Sequence, residues 1–126
     1  MEKYLRLLIL LIGGIAVGQR SFYKINKVCE LDYDRQNKVI ECYDVTNVSI
    51  TRDYNNKHFA FFSGNQKTII PFTTWRDIGD VIGYFYYETL VITIGLNDKR
   101  IPYRIVLSDE KNRIGRGFEI ESWQQE

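Results

Sequence analysis

Thr89-Leu90-Val91-Ile92-Thr93-Ile94 is the stretch whose reading decides the fold. All but Leu90 are β-branched, and such side chains are stiff in a helix but pack well on a pleated surface. The stretch therefore reads as a strand. Asn97-Asp98-Lys99 follows it with turn residues, and Tyr103-Arg104-Ile105-Val106-Leu107 returns. Asp109-Glu110-Lys111-Asn112 turns once more before Gly117-Phe118-Glu119-Ile120-Glu121 closes the chain. Toward the N-terminus the same grammar repeats. Val48-Ser49-Ile50-Thr51-Arg52, His58-Phe59-Ala60-Phe61-Phe62 and Lys67-Thr68-Ile69-Ile70 are extended runs. The turns Tyr54-Asn55-Asn56-Lys57 and Ser63-Gly64-Asn65-Gln66 separate them, and Pro71 ends the last or marks an edge. Turns every ~8–12 residues between short strands predict an all-β, antiparallel β-sandwich or barrel.

One segment carries helical credentials. In Thr74-Trp75-Arg76-Asp77-Ile78-Gly79-Asp80-Val81-Ile82, Thr74 and Asp77 have capping-box spacing, and Ile78, Val81 and Ile82 recur at three and four. Gly79 and Gly83 weaken it, so at most one short helix is expected near 74–82.

Two cysteines, Cys29 and Cys42, flank a polar tetrad, Asp34-Arg35-Gln36-Asn37, in a hairpin pattern. A turn centred at Arg35 and Gln36 sets Cys29 opposite Cys42 and Leu31 opposite Ile40. Opposed residues of a non-hydrogen-bonded pair lie ~4.5 Å apart, within reach of a disulfide. Closing such a loop adds about 3 kcal/mol in the chain-entropy picture.

The first residues give the compartment. Met1-Glu2-Lys3-Tyr4-Leu5-Arg6 is a net-basic start, Leu7 to Ile12 is unbroken apolar, and Ala16-Val17-Gly18 places small residues before Gln19. That is the layout of a secretory signal peptide over residues 1–18, and the apolar run is too short to span a bilayer. A single secreted β-rich domain is expected over 19–126, extracellular and without a membrane anchor. The 17 basic and 16 acidic side chains of the whole chain include Lys3, Arg6 and Glu2, so 15 of each remain after cleavage. Signs are interspersed. Without a basic stripe, nucleic acid is not an expected partner. Nine Tyr, seven Phe and two Trp against two prolines indicate a chain able to bury a core.

Catalytic constellations are missing from the pattern. His58 is the sole histidine, both cysteines pair, and no Gly-x-Ser-x-Gly or zinc-ligand spacing occurs. Neither a catalytic residue, a metal nor a cofactor is expected. Two features remain. Asn47-Val48-Ser49 is an N-glycosylation sequon just before a strand. Tyr84-Phe85-Tyr86-Tyr87, with Trp75 and Trp123, is an aromatic excess. Side chains alternate along a strand, so such a run divides between two faces. Exposed Tyr and Trp make contact surface. Trp75, Tyr84, Tyr86 and Tyr87 are thus the expected partner-binding residues.

Leu90-Val91-Ile92-Thr93-Ile94, then Pro102-Tyr103-Arg104-Ile105-Val106-Leu107 and Asn112, resemble the core of the farnesoic acid O-methyltransferase-like domain of arthropod proteins. The resemblance spans residues 89–116. Ser108, Asp109 and Glu110 stand where that family carries Gly-Gly-Trp. It implies a β-rich module, and nothing in the chain resembles a site for a methyl donor.

The expected function is non-catalytic binding of a protein or carbohydrate partner. The competing expectation is a small-ligand carrier or enzyme with an apolar cavity lined by Tyr84–Tyr87 and Leu90–Leu96. Expression in a eukaryotic host should release a chain that begins at Gln19, read by mass spectrometry of the medium. Secreted protein that retains Met1 would overturn the targeting reading.

Overall fold

The computed structural model describes residues 20–86 and 89–126. They form nine strands: β1 (Arg20–Asp32), β2 (Lys38–Asp53), β3 (His58–Ser63), β4 (Gln66–Pro71), β5 (Thr74–Asp77), β6 (Val81–Tyr86), β7 (Leu90–Leu96), β8 (Pro102–Asp109) and β9 (Ile114–Gln125). A 3-10 turn, Tyr33–Arg35, joins β1 to β2. The fold is all-β and antiparallel, as expected. The strands make one continuous sheet in the order β4-β3-β2-β1-β9-β8-β7-β6-β5, curled into a half-barrel. The expected leader over residues 1–18 lies outside the described residues.

The order of strands constrains the shape. Eight antiparallel pairings link β4 to β5 through the sheet, so the two edge strands run in the same direction. Yet only Phe72 and Thr73 separate them in the chain. Three Cα steps from Pro71 to Thr74 reach at most about 11 Å. The sheet must therefore curl until its edges nearly meet. Two hydrogen bonds hold the crossing. The Phe72 amide donates to the Lys57 carbonyl beside β3 at 2.9 Å, and the Thr73 amide donates to the Phe85 carbonyl on β6 at 2.7 Å. Consecutive residues thus tie opposite edges.

Curling gives the sheet a concave face on which the core collects. Tyr23, Ile25, Val28, Ile50, Phe59, Phe72, Tyr84, Ile92, Ile94, Leu96, Ile105 and Phe118 form the buried cluster. Alternation along β6, β7 and β8 supplies Tyr84, Ile92, Ile94 and Ile105 from every second position. Along β1 the register shifts between Ile25 and Lys27 against both neighbours. This bulge at Asn26 moves the inward set from odd to even numbers, so Val28 faces in.

Beyond the bulge, Cys29 and Leu31 turn to the convex face and are nonetheless buried. They lie opposite Gly117 and Gly115 of β9. A Cβ at Gly115 would collide with the Asn37 side-chain oxygen and come within 3.1 Å of Leu31 Cβ. The two glycines thus make a shallow seat into which the hairpin end packs. The disulfide joins Cys29 to Cys42 with Cα atoms 4.0 Å apart, as the hairpin reading expected. The remainder of that register is corrected. A second shift between Glu30 and Leu31 pairs Leu31 with Val39, leaving Ile40 unpaired and 64% exposed.

The expected helix near 74–82 is replaced by the β5–β6 hairpin. Gly79 adopts φ +87°, a left-handed value that ends any helical run, and its amide donates to the Asp77 carboxylate. Ile78 donates to the Val81 carbonyl across the turn. Ile82 and Tyr84 then face the core as strand neighbours, and Ile78 is 54% exposed. Period two has overridden period 3.6 because Tyr84 packs against Phe59 and Phe72, contacts a two-turn helix cannot supply.

Removing the Phe72 ring should cost about 3–5 kcal/mol, as for other buried aromatics. Urea unfolding of Phe72→Ala measures this. A loss below about 1 kcal/mol would show that the crossing does not depend on the ring.

Candidate functional site

A buried polar network lies beside the crossing. Arg52, next to the last residue of β2, is 7% exposed. Its Nη1 donates to the Tyr84 hydroxyl at 2.9 Å and its Nη2 to the Ser21 hydroxyl at 2.8 Å. The Tyr54 and Tyr84 hydroxyls are 3.1 Å apart. The guanidinium carbon also sits 4.4 Å from the centroid of the Tyr54 ring, a cation–π position. Arg52 stays charged at any ordinary pH. Phenol oxygens and a ring face offset the loss of its hydration.

Burial pushes the Tyr84 phenol well above its ordinary value and raises that of Tyr23, although Arg52 pulls both down. Both groups are neutral donors or acceptors in the fold. Tyr84 faces the Tyr54 hydroxyl and the Arg52 guanidinium, and Tyr23 faces the Ser21 hydroxyl.

The network surfaces at Trp75. β5 is an edge strand, and Trp75 is paired with Tyr84, so its ring projects on the same side beyond the core. The ring is 53% exposed and lies 5.7 Å from the Tyr54 ring, tilted by 48°. Tyr54 in turn meets Phe72 edge-on at 5.8 Å. Trp75 and Tyr54 form one wall of a depression of about 320 Å³, completed by Lys57, Phe72, Thr73 and Thr74. The result is an indole backed by one ring, beside hydroxyls and an ammonium. Such a surface offers a ring face for stacking and polar groups beside it for hydrogen bonds.

The expected partner-binding residues are thus divided. Trp75 is exposed as expected. Tyr84 is corrected: it is 1% exposed, the ring that joins Arg52 to the aromatic core, so no surface partner reaches it. Tyr86 is half-buried, and Tyr87 lies outside the described residues. Sequence reasoning missed Tyr54, whose place in a turn gave no sign that it would support Trp75. It also missed Arg52, which reads as an ordinary polar strand residue.

Along the described part of Tyr84–Tyr87 and Leu90–Leu96, where an apolar cavity is the competing expectation, Tyr84, Ile92, Ile94 and Leu96 pack into the core. Ile94 and Leu96 also border a depression of about 190 Å³ with Tyr23, Arg52 and Trp123. An apolar cleft of about 320 Å³ lies between β2, β3, β4 and the β8–β9 pair. Asn47 is exposed at a positive φ of 58°, where β2 bulges, and its carbonyl accepts from the Gly64 amide. Among the described residues no group of three His, Cys, Asp or Glu is arranged to hold a metal, and no helix is long and apolar enough to cross a membrane. Against known protein families and curated proteins, the chain matches none.

The two raised phenols set an alkaline limit. A pKa raised in the native state means that the folded chain holds protons the unfolded chain releases above about pH 10. Stability should be complete below that pH and fall as pH rises past it. Urea unfolding at pH 9 to about 11 should show the decline, with a smaller slope for Tyr84→Phe than for wild type. Equal slopes would exclude Tyr84 as the group responsible.

Proposed function

We propose that the protein is a secreted, non-catalytic recognition module that binds a carbohydrate through the Trp75 face. The observation that carries this reading is the half-exposed Trp75 ring backed by Tyr54, with Lys57, Thr73 and Thr74 around it. An exposed indole held by a second ring loses little conformational freedom on binding. Hydroxyl and ammonium neighbours suit a sugar, which offers apolar C–H faces and hydroxyl edges together. A protein partner would call for a wider apolar patch.

Secretion is supported by the disulfide, which persists in oxidising compartments, and by the leader pattern of residues 1–18. Exposure of Asn47 on a bulge suits modification of its sequon in the same pathway. The likeness of residues 89–116 to farnesoic acid O-methyltransferase-like domains is compatible with this reading and adds no catalytic residue to it.

Trp75→Ala should leave folding stability within about 0.5 kcal/mol, because the ring is largely outside the core. The same change should weaken glycan binding by about 2 kcal/mol or more. A glycan array probed with wild type and variant, with melting curves of both, checks this. Retention of all glycan signals by Trp75→Ala would overturn the assignment of the face. Binding only to secreted proteins would replace the sugar with a protein partner.

A further inference from the structure

The apolar cleft is separate from the Trp75 face and has no lining residue in common with it. Its walls are Val45, Val48, Phe61, Ile70, Leu107 and Phe118, drawn from five strands. All but Phe118 are partly exposed although they pack against the buried core. Inward-facing apolar side chains of a curled sheet are normally covered by one another. Here the concave face is wider than its own side chains fill.

The mouth has a different chemistry. Arg116 and Tyr43 both line the cleft. Arg116 Nη2 lies 3.3 Å from the Glu30 carboxylate, and the Tyr43 hydroxyl donates to the same carboxylate at 3.2 Å. Glu30 thereby neutralises Arg116, while the guanidinium fork has more donors than one carboxylate oxygen uses. Gln66 and Ser63 add amide and hydroxyl groups along the rim.

We propose that this cleft binds a small uncharged amphiphile, such as a fatty alcohol, with its apolar body inside and its oxygen at the Arg116–Tyr43 mouth. The volume argues for a small molecule: about 320 Å³ lies at the lower end of ligand pockets, and a helix of ~10 Å diameter would not enter. The apolar walls argue for the body. The neutral ion pair argues for the head, because a second carboxylate beside Glu30 would meet a like charge. An ammonium would meet Arg116 in the same way.

The test uses the secreted chain and the uncharged fluorescent probe N-phenyl-1-naphthylamine. Uptake should saturate at one probe per chain, and 1-decanol should displace it at least about tenfold better than decanoate. Thr68 lines the cleft from the exposed edge strand β4, so Thr68→Trp fills the space from a tolerant position. This variant should melt as wild type does and lose about tenfold or more of probe affinity. Glu30→Gln removes the neutralising charge and should shift the preference toward decanoate. Trp75→Ala should leave uptake unchanged, so failure here and failure of the carbohydrate reading are read separately. Absence of probe uptake, undiminished uptake by Thr68→Trp, or stronger displacement by decanoate than by decanol in wild type would each overturn the proposal.

Discussion

The two-residue crossing at Phe72 and Thr73 is the constraint on which the structure depends. Strands at opposite edges of a nine-stranded sheet are joined by a link too short to span a flat one. The sheet can satisfy the link only by curling, and curling creates the concave face. Phe72 makes the curl favourable as well as obligatory. Its ring lies 5.0 Å from Tyr84 and 5.8 Å from Phe59, so the residue that crosses the seam is also a centre of the aromatic core. Backbone closure and side-chain burial are one event here.

That closure explains the unusual setting of Arg52. Once Tyr84 is carried inward by β6 and Tyr54 is held by Phe72, three polar tips converge near the end of β2. A hydrocarbon there would leave the phenol and Ser21 hydroxyls short of partners. The guanidinium serves several of them at once because its donors point in fixed, divergent directions. The network therefore specifies how β1, β2 and β6 meet, beyond what apolar packing alone would select.

The two surface features lie on either side of this closed region. Trp75 extends the aromatic cluster outward, on an edge strand where a ring can be supported from one side and open on the other. The apolar cleft arises where the curl is wider and Phe61 and Phe118, 5.4 Å apart, meet without filling the space. Both follow from a single sheet that closes tightly at one seam and more loosely elsewhere.

Much of the fold was legible in the chain itself. Runs such as Leu90–Ile94 and Tyr103–Leu107 are strands by composition, and Cys29 and Cys42 read as opposed across a hairpin, since local sterics and turn chemistry act within a few residues. The bulge at Ile40 is what keeps the two cysteines opposed. The segment 74–82 misled because its i, i+3 and i+4 pattern is as consistent with a short helix as with a hairpin; only the pairing of Trp75 with Tyr84 separates the two. The bulges at Asn26 and Ile40 were also invisible, because a register shift is chosen by what lies on the neighbouring strand. Of the candidate site, Trp75 could be named from the chain, whereas burial of Tyr84, support by Tyr54 and the charge of Arg52 among phenols could not. Sequence determined which residues could be strand, turn or ring. The tertiary structure decided which rings face water, because exposure depends on where the seam closes, and that closure joins residues far apart in the chain.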